Sequence, residues 1–295
     1  LFDVIRGVTK YIHSDTNAAQ GTNAATLTAF GSDGFTVGAN NSVNKSGEPL
    51  VSWNWKANGA GSSNTDGSIT STVSVNTTSG FSIVQYTGNA SQSQTVGHGL
   101  GVAPKLIIFK SSTSADDWSI CCPSVLGVDG RLTLNTTAAN SIGDNTFWNS
   151  TAPSSTLFSI GNNPRANASG QTIIAYCFAE IPGFSKMGSY EGNGNANGIF
   201  QHLGFKPAWV LIKNTTATEA YFLYDNKRGY NGSMAALFPD EAAADAFANN
   251  IDFLSNGFKI RTAGAILNGN TTKYIYMAFA SEPLVSTNGN AATAR

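Results

Sequence analysis

Short apolar runs, separated by segments rich in Gly, Asn, Ser and Thr, recur along the whole chain. The clearest are residues 81–86, 105–109 and 172–178. Runs of this length that are bounded by turn-forming residues are typical of β-strands. Further strands are predicted at 50–55, 68–75, 118–121, 131–134, 145–148, 157–160 and 221–224. The pattern predicts an all-β protein with short strands.

Many of these runs occur twice, at a spacing close to one hundred residues. Residues 104–122 align without a gap with 207–225, and both stretches begin with Pro and carry Lys at the seventh position. Upstream, 80–89 aligns with 183–193 after one insertion; downstream, 173–179 aligns with 274–280. A period of about 100 residues is that of a domain rather than of a solenoid repeat.

The N-terminal region reads as a third copy whose front is missing. Residues 1–7 align with 223–229, and 34–37 align with 257–260. The counterpart of 183–222 is therefore lacking. We expect either that the chain is the C-terminal part of a longer protein or that another chain supplies an edge of the fold, because unpaired strand edges must be covered.

These alignments predict tandem, jelly-roll-like β-sandwich repeats of about 100 residues each, with little helix. The predicted division is a truncated first repeat (1–56), a linker with one candidate edge strand (57–79), a second repeat (80–182), a third repeat (183–283) and a flexible tail (284–295). One helix is expected at 239–247, where acidic residues precede alanines. The alignment places Ile107, Phe178, Val210 and Phe279 in the core.

Composition narrows the classes of function. Charged residues are 12% of the 295 residues, apolar residues are 41%, and the formal net charge is −1. The apolar content excludes a disordered chain, and the near-zero net charge gives no excess of positive charge for binding nucleic acid. No apolar run reaches the length of a membrane-spanning helix, so we expect no membrane insertion. The three cysteines fit folding in a reducing cytosol, with Cys177 as a small buried apolar residue.

The candidate catalytic and metal-binding residues form no convincing set. His98 fits a turn better than a metal or general-base role, and the glycines at 97–101 fit a tight turn better than a phosphate loop. Asp116 and Asp117 read as a solvated turn rather than an acid–base pair. The loop at 192–198 offers oxygens but almost no carboxylates, which hard cations prefer. We therefore predict no enzyme activity, no cofactor and no metal.

Aromatic residues are the more informative class, at 11% of the chain. Core packing is the default role for an aromatic side chain. Exposed aromatic faces beside Asn and Asp would instead suit stacking on sugar rings. On this basis the candidate glycan-contacting residues are Trp53, Trp55, Trp118 and Tyr221, and the alternation of Trp53 and Trp55 places them on one face of the chain.

Several segments resemble repeat-containing virion structural, tail-fibre-like proteins of marine and cyanobacterial tailed phages. The resemblance covers nearly the whole chain up to residue 283, and it is carried by residues 1–15, 32–38, 64–74, 80–89, 96–104 and 251–259. In that family, a copy such as the first one here is preceded by its own front segments. The family supplies no accepted catalytic residues.

The resemblance implies a tail fibre or appendage subunit for host-surface attachment, made in the host cytoplasm and located on the virion surface. Its expected partners are other virion proteins, further copies of itself, with a trimer favoured, and a host cell-surface glycan. The alternatives are a capsid (head) decoration protein and a carbohydrate-binding module, or less favourably a hydrolase, that acts on a host polysaccharide.

Overall fold

Strands dominate the structure, a computed structural model that describes residues 1–281. The predicted tail at 284–295 lies outside the described residues, as do the last two residues of the predicted third repeat. The sheets are antiparallel, and the five helices among the described residues are single turns of four residues. The prediction of an all-β protein with little helix is confirmed.

The strands are interspersed with five short helical turns among the described residues. In the first part they are β1 Lys10–Tyr11, β2 Gly21–Thr22, β3 Leu27–Phe30, β4 Phe35–Val37, α1 Asn41–Asn44, β5 Ser62–Asn64, β6 Ser71–Asn76, β7 Phe81–Thr87, β8 Gln94–Gly97, β9 Leu106–Ser111, β10 Ser119–Cys121, α2 Pro123–Leu126 and β11 Leu132–Thr133. In the second part they are α3 Asn145–Trp148, β12 Leu157–Ile160, α4 Pro164–Asn167, β13 Thr172–Phe178, β14 Ser185–Glu191, β15 Phe200–His202, β16 Pro207–Asn214, β17 Phe222–Asp225, β18 Met234–Leu237, β19 Ala246–Ala248, β20 Ile251–Leu254, β21 Gly257–Ile260, α5 Ala265–Asn268 and β22 Lys273–Ala280.

The chain forms two compact units, and neither is continuous in sequence. Unit 1 consists of Leu1–Trp118 and Asn145–Phe178. Unit 2 consists of Ser119–Asp144 and the chain from Ala179 onward. The segment 119–144, which belongs to the second repeat by sequence, is therefore part of the unit that the third repeat builds.

In unit 1, strands β5, β6, β7, β13 and β9 lie side by side in that order, and β8 pairs with β12. In unit 2, the order β14-β22-β16-β17-β18-β19 forms one sheet and β15-β21-β20 forms another. Apolar side chains from the strands of unit 2 pack into one buried cluster. All four residues predicted for the core, Ile107, Phe178, Val210 and Phe279, are buried, so that prediction is confirmed.

Three local predictions are wrong. Residues 239–247 contain no helix; Asp240 accepts a hydrogen bond from the Tyr221 backbone, and β19 pairs with β18 instead. Sheet pairing outweighs alanine helix propensity, which amounts to a few tenths of a kcal/mol per residue. Residues 145–148 form a helical turn, which buries the consecutive Phe147 and Trp148 together, as an alternating strand cannot. Residues 50–55 form no strand.

The cysteines behave as the sequence predicts for buried residues. Cys121, Cys122 and Cys177 are buried and form no disulfide. Burial raises the pKa of the Cys177 thiol to about 12, which keeps it protonated at neutral pH. Cys177 therefore acts as a small apolar residue in β13.

Candidate functional site

Lys110, near the end of β9, is fully buried although it carries a charged side chain. Its Nζ donates hydrogen bonds to the backbone carbonyls of Asn17 at 3.2 Å, Ser111 at 2.7 Å and Ser114 at 3.2 Å. An ammonium group has three protons to donate, and the three carbonyls accept one each. We call this arrangement a lysine cage.

A second lysine cage lies at the aligned position in unit 2. The Nζ of Lys213, in β16, donates to the carbonyls of Thr137 at 3.2 Å, Asn214 at 2.7 Å and Ala217 at 3.3 Å. In both cages one carbonyl follows the lysine directly and another lies four residues beyond it. The third carbonyl comes from a segment far upstream, which the lysine holds in place.

The upstream segments also occupy equivalent positions in sequence. Next to the first cage, the Gln20 amide donates to the Ser112 carbonyl at 3.0 Å; next to the second, the Asn140 amide donates to the Thr215 carbonyl at 2.8 Å. Gln20 and Asn140 each lie three residues after the residue that contributes the upstream carbonyl. Each lysine cage therefore ties a segment inside one sequence repeat to a strand of the next repeat.

Burial controls the electrostatics of the cages. Loss of hydration lowers the pKa of Lys110 and of Lys213 to about 8. Asp116 and Asp117 oppose this effect at Lys110, and Asp240 and Glu219 oppose it at Lys213. Because all three ammonium protons are donated to backbone carbonyls, the lysines hold the chain together and are not placed to act on a substrate.

A buried asparagine, Asn268, organises the loop at 192–198. Its Nδ2 lies 2.8 Å from each of three acceptors, Asn193 Oδ1 and the carbonyls of Asn195 and Thr262, which share its two N–H protons. Its Oδ1 accepts from the Asn193 amide at 2.9 Å. The oxygens that could have faced a cation thus face an amide group, which fits the interpretation of this loop as a turn.

Asn167 does the same in unit 1. Its Oδ1 accepts from the Asn89 amide at 2.8 Å, and its Nδ2 donates to the carbonyls of Ser91 at 2.8 Å and Gly161 at 2.9 Å. Asn167 and Asn268 end the equivalent helical turns α4 and α5. Within residues 1–281, no group of three or more His, Cys, Asp or Glu is arranged to hold a metal ion.

His98 is a buried structural residue. Its Nδ1 accepts from the Leu100 amide at 3.2 Å, and its Nε2 lies 3.2 Å from the Ser154 carbonyl, which places the proton on Nε2. Burial lowers the pKa of its imidazole, so the ring is neutral at pH 7. Gly99 and Gly101 in the following turn have φ values of 72° and 74°, as the interpretation as a tight turn requires.

The neighbouring carboxylates at 116 and 117 have different partners. Asp117 forms an ion pair with Arg165 at 2.5 Å. Asp116 accepts a hydrogen bond from the Ser114 hydroxyl. Both carboxylates therefore contribute to fixing the turn after β9.

Asp240, in unit 2, is a buried carboxylate whose two oxygens have different surroundings. Its Oδ1 accepts from the Tyr221 amide at 3.1 Å, whereas its buried Oδ2 has no hydrogen-bond partner among the described residues. Burial raises the pKa of Asp240 to about 6. The Lys213 ammonium lies 5.6 Å from the centre of the Tyr221 ring, so the ring lies close to both charged groups.

Two of the four candidate glycan-contacting residues are buried. Trp118 and Tyr221 are each 1% exposed. Trp118 stacks on Tyr176 and donates from Nε1 to the His13 carbonyl at 2.8 Å. A sugar ring cannot reach these faces, so the assignment of Trp118 and Tyr221 to a glycan surface is corrected to a role in the core.

The other two candidates lie at the surface of unit 1. Trp53 and Trp55 are half-buried, and Asn54 and Lys56 between and after them are exposed. The Trp55 ring packs edge-on against Phe178, with the ring centres 6.2 Å apart. This stretch combines partly accessible indole rings with an exposed amide and an exposed ammonium.

Polar residues at aligned positions are the sequence signal for the lysine cages and the buried asparagines. Lys110 and Lys213 end apolar runs at aligned positions, and Asn167 and Asn268 end aligned helical turns. A polar residue retained in both copies inside an apolar context indicates a buried hydrogen-bonding role.

The geometry defines an all-β protein in which buried lysines and asparagines at aligned positions hold loops and upstream segments in place. Residues 1–283 match the model of a family described as a domain of unknown function (DUF7483), and the chain belongs to that family. No curated protein and no solved structure matches the chain. No helix in the described part of the chain is long and apolar enough to cross a membrane.

Proposed function

We propose that the chain is a virion structural protein of a tailed phage, a subunit of a tail fibre or appendage that attaches to the host surface. The observation that carries this proposal is the recurrence of the lysine cage. Each cage joins successive sequence repeats by hydrogen bonds from a buried lysine rather than by a flexible linker. Such a construction suits a protein that must hold its repeats together outside a cell.

The same proposal includes the finer architecture. In the second repeat β8 pairs with the later strand β12, and in the third repeat β15 pairs with the later strand β21. This antiparallel pairing fits jelly-roll-like β-sandwich repeats in tandem. Three further features support the proposed function. They are the sequence resemblance, the low content of charged residues, and buried titratable groups that form hydrogen bonds within the chain. We favour a trimer, other virion proteins as neighbours and a location on the virion surface.

Electron microscopy of purified particles tests this proposal. Gold-labelled antibodies against the chain are expected at tail fibres or appendages, and mass spectrometry is expected to find the protein in the same particles. Labelling of the head shell would instead establish the decoration protein. Absence from particles that are otherwise complete would reject both.

A second candidate function, glycan binding, is favoured by the stretch around Trp53 and Trp55. Partly accessible indole rings beside an amide are suited to stacking on and hydrogen bonding with a sugar. The test is a panel of host surface polysaccharides, with Trp55→Ala compared with the exposed control Val102→Ala. Binding that is absent, or equal in both variants, rejects this site; loss of polysaccharide mass on incubation would indicate a hydrolase.

A further inference from the structure

The hairpin β3–β4 in unit 1 and the hairpin β20–β21 in unit 2 are built in the same way. Each carries a phenylalanine on either side of its turn, and the two rings belong to directly paired residues: Phe30 with Phe35, and Phe253 with Phe258. The turns align residue by residue and share Ser at their second position and Gly at their fourth. The two hairpins are equivalent elements of two copies.

Their surroundings differ. Phe253 is 5% exposed and Phe258 is 0% exposed, whereas Phe30 is 38% exposed and Phe35 is 42% exposed. A paired set of phenylalanines that is core in one copy is therefore surface in the other. Exposed apolar side chains of this size on a hairpin indicate a contact surface.

In unit 2, β15 covers the hairpin. It pairs with β21 through Phe200–Lys259, Gln201–Phe258 and His202–Gly257. The chain continues along the turn, where the amides of Leu203 and Gly204 donate to the Asn256 carbonyl at 2.9 and 3.1 Å. Leu203 is buried in the core cluster.

The second repeat repeats this arrangement. There, β8 pairs with β12 over four residues, and Leu100, which follows β8 after a short turn, is buried. Both complete copies thus cover the equivalent strand with a strand from their own front segment. Each covering strand is followed by a buried Leu and then Gly.

β4 has no such neighbour within the described chain, where β3 and β4 form a two-stranded sheet. The glycines in the two turns show the same difference. A Cβ on Gly257 would lie 2.1 Å from the Gln201 carbonyl oxygen, whereas a Cβ on Gly34 would meet no atom within 4 Å. The space that β15 fills beside β21 is open beside β4.

We propose that the edge of β4 and the faces of Phe30 and Phe35 are an acceptor site for one strand of the β8/β15 type, followed by Leu-Gly. The strand pairs antiparallel with β4, its Leu covers the two rings, and the Asp33 carbonyl accepts from the following amides as the Asn256 carbonyl does. Addition of a strand to a sheet edge draws its affinity from main-chain hydrogen bonds and its specificity from side-chain pockets.

The first test is binding of a synthetic peptide with the sequence of residues 197–206 to the full chain, measured by isothermal titration calorimetry. Saturable 1:1 binding is expected. Phe30→Ser combined with Phe35→Ser is expected to weaken it at least about tenfold, since the rings supply the apolar pocket. The matched control Phe247→Ser, at another exposed ring, leaves binding unchanged, and a peptide carrying Leu203→Asp does not bind.

A second measurement does not depend on peptide affinity. A copy of residues 183–222, which includes β15 and the Leu-Gly after it, is fused directly before Leu1, and hydrogen exchange of the β4 amides is followed. Exchange at β4 is expected to slow at least about tenfold relative to the unfused chain, and the Phe30→Ser/Phe35→Ser pair is expected to remove this protection.

Three outcomes overturn the proposal. The peptide binds the double variant as well as it binds the original chain; the chain forms a dimer through β4 that the fusion does not dissolve; or the peptide fails to bind and the fusion leaves β4 exchange unchanged. Protection in the fusion supports the proposal even where the free peptide binds too weakly to measure.

Discussion

Replacement of Lys213 by methionine tests whether the lysine cage stabilises unit 2. Methionine keeps most of the side-chain volume but leaves the carbonyls of Thr137, Asn214 and Ala217 without their donor. An unsatisfied carbonyl costs about 1–3 kcal/mol where it is buried, as at Asn214, and about 1 kcal/mol where it is partly buried, as at Thr137 and Ala217. The substitution also removes the cost of burying the ammonium, which the fall of the pKa from 10.5 to about 8 sets at roughly 3 kcal/mol. The carbonyls together cost about 3–5 kcal/mol, so the net expectation at pH 7 is a loss of up to about 2 kcal/mol.

The assay is urea denaturation at pH 7, followed by tryptophan fluorescence and circular dichroism. Lys110→Met is expected to cause a loss of similar size in unit 1, because its cage has the same three acceptors. The matched control is Lys105→Met, at an exposed position five residues earlier, and it is expected to change the free energy of unfolding by less than about 0.5 kcal/mol.

The pH dependence gives a second, independent signature. Between pH 8 and 10.5 the unfolded lysine binds a proton and the folded one does not, so the stability of the original chain rises with pH in that window. Lys213→Met lacks this contribution, and the difference between the two proteins grows towards pH 10. Cage variants that match Lys105→Met at both pH values would refute the reasoning.

Three further predictions concern unit 2. Asp240→Asn is expected to stabilise the protein at pH 7.5 by up to about 3 kcal/mol, because burial raises the pKa of Asp240 from 3.8 to about 6 and the original chain loses stability as the pH rises through this window; the gain should vanish below about pH 4, and a gain that persists at pH 3.5 argues against this cause. Asn268→Ala is expected to cost about 2–4 kcal/mol and to accelerate proteolysis at 192–198, since the bond accepted by its Oδ1 and the bonds donated by both protons of its Nδ2 are lost; an unaltered cleavage rate contradicts it. Phe279→Ala is expected to cost about 3–5 kcal/mol in urea denaturation, and an unchanged midpoint would show that the alignment misplaces the core.

Sequence patterns were sufficient to predict the strands and much of the core. Apolar runs such as β13 and β9 are paired along almost their whole length, so local pattern and tertiary pairing agree. The repeat alignment located Val210 and Phe279 because equivalent positions in two copies face the same environment. Short strands such as β1 and β2 went unpredicted, since two residues carry no detectable periodicity.

The buried polar contacts could not be predicted from local sequence. The Asn17 carbonyl lies 93 residues from Lys110, and any residue type can supply a backbone carbonyl, so composition holds no trace of the acceptor. The glycan prediction failed at Trp118 for a related reason. An aromatic residue at the start of a strand looks the same in sequence whether its ring faces solvent or, as here, stacks on Tyr176 in the interior.

The discontinuous make-up of the units bears on how such genes gain and lose repeats. The Asn17 carbonyl accepts from Lys110 in the same way as the Thr137 carbonyl accepts from Lys213. Either upstream segment can therefore supply the third acceptor to the lysine of the next repeat. Unequal recombination that removes one whole period therefore still joins a segment that carries an acceptor carbonyl to a repeat that carries the matching lysine. Recombination between Asp144 and Asn145, at one edge of a compact unit, would instead separate Lys213 from its acceptor Thr137. Lengths that differ by whole periods are thus the ones that selection can tolerate.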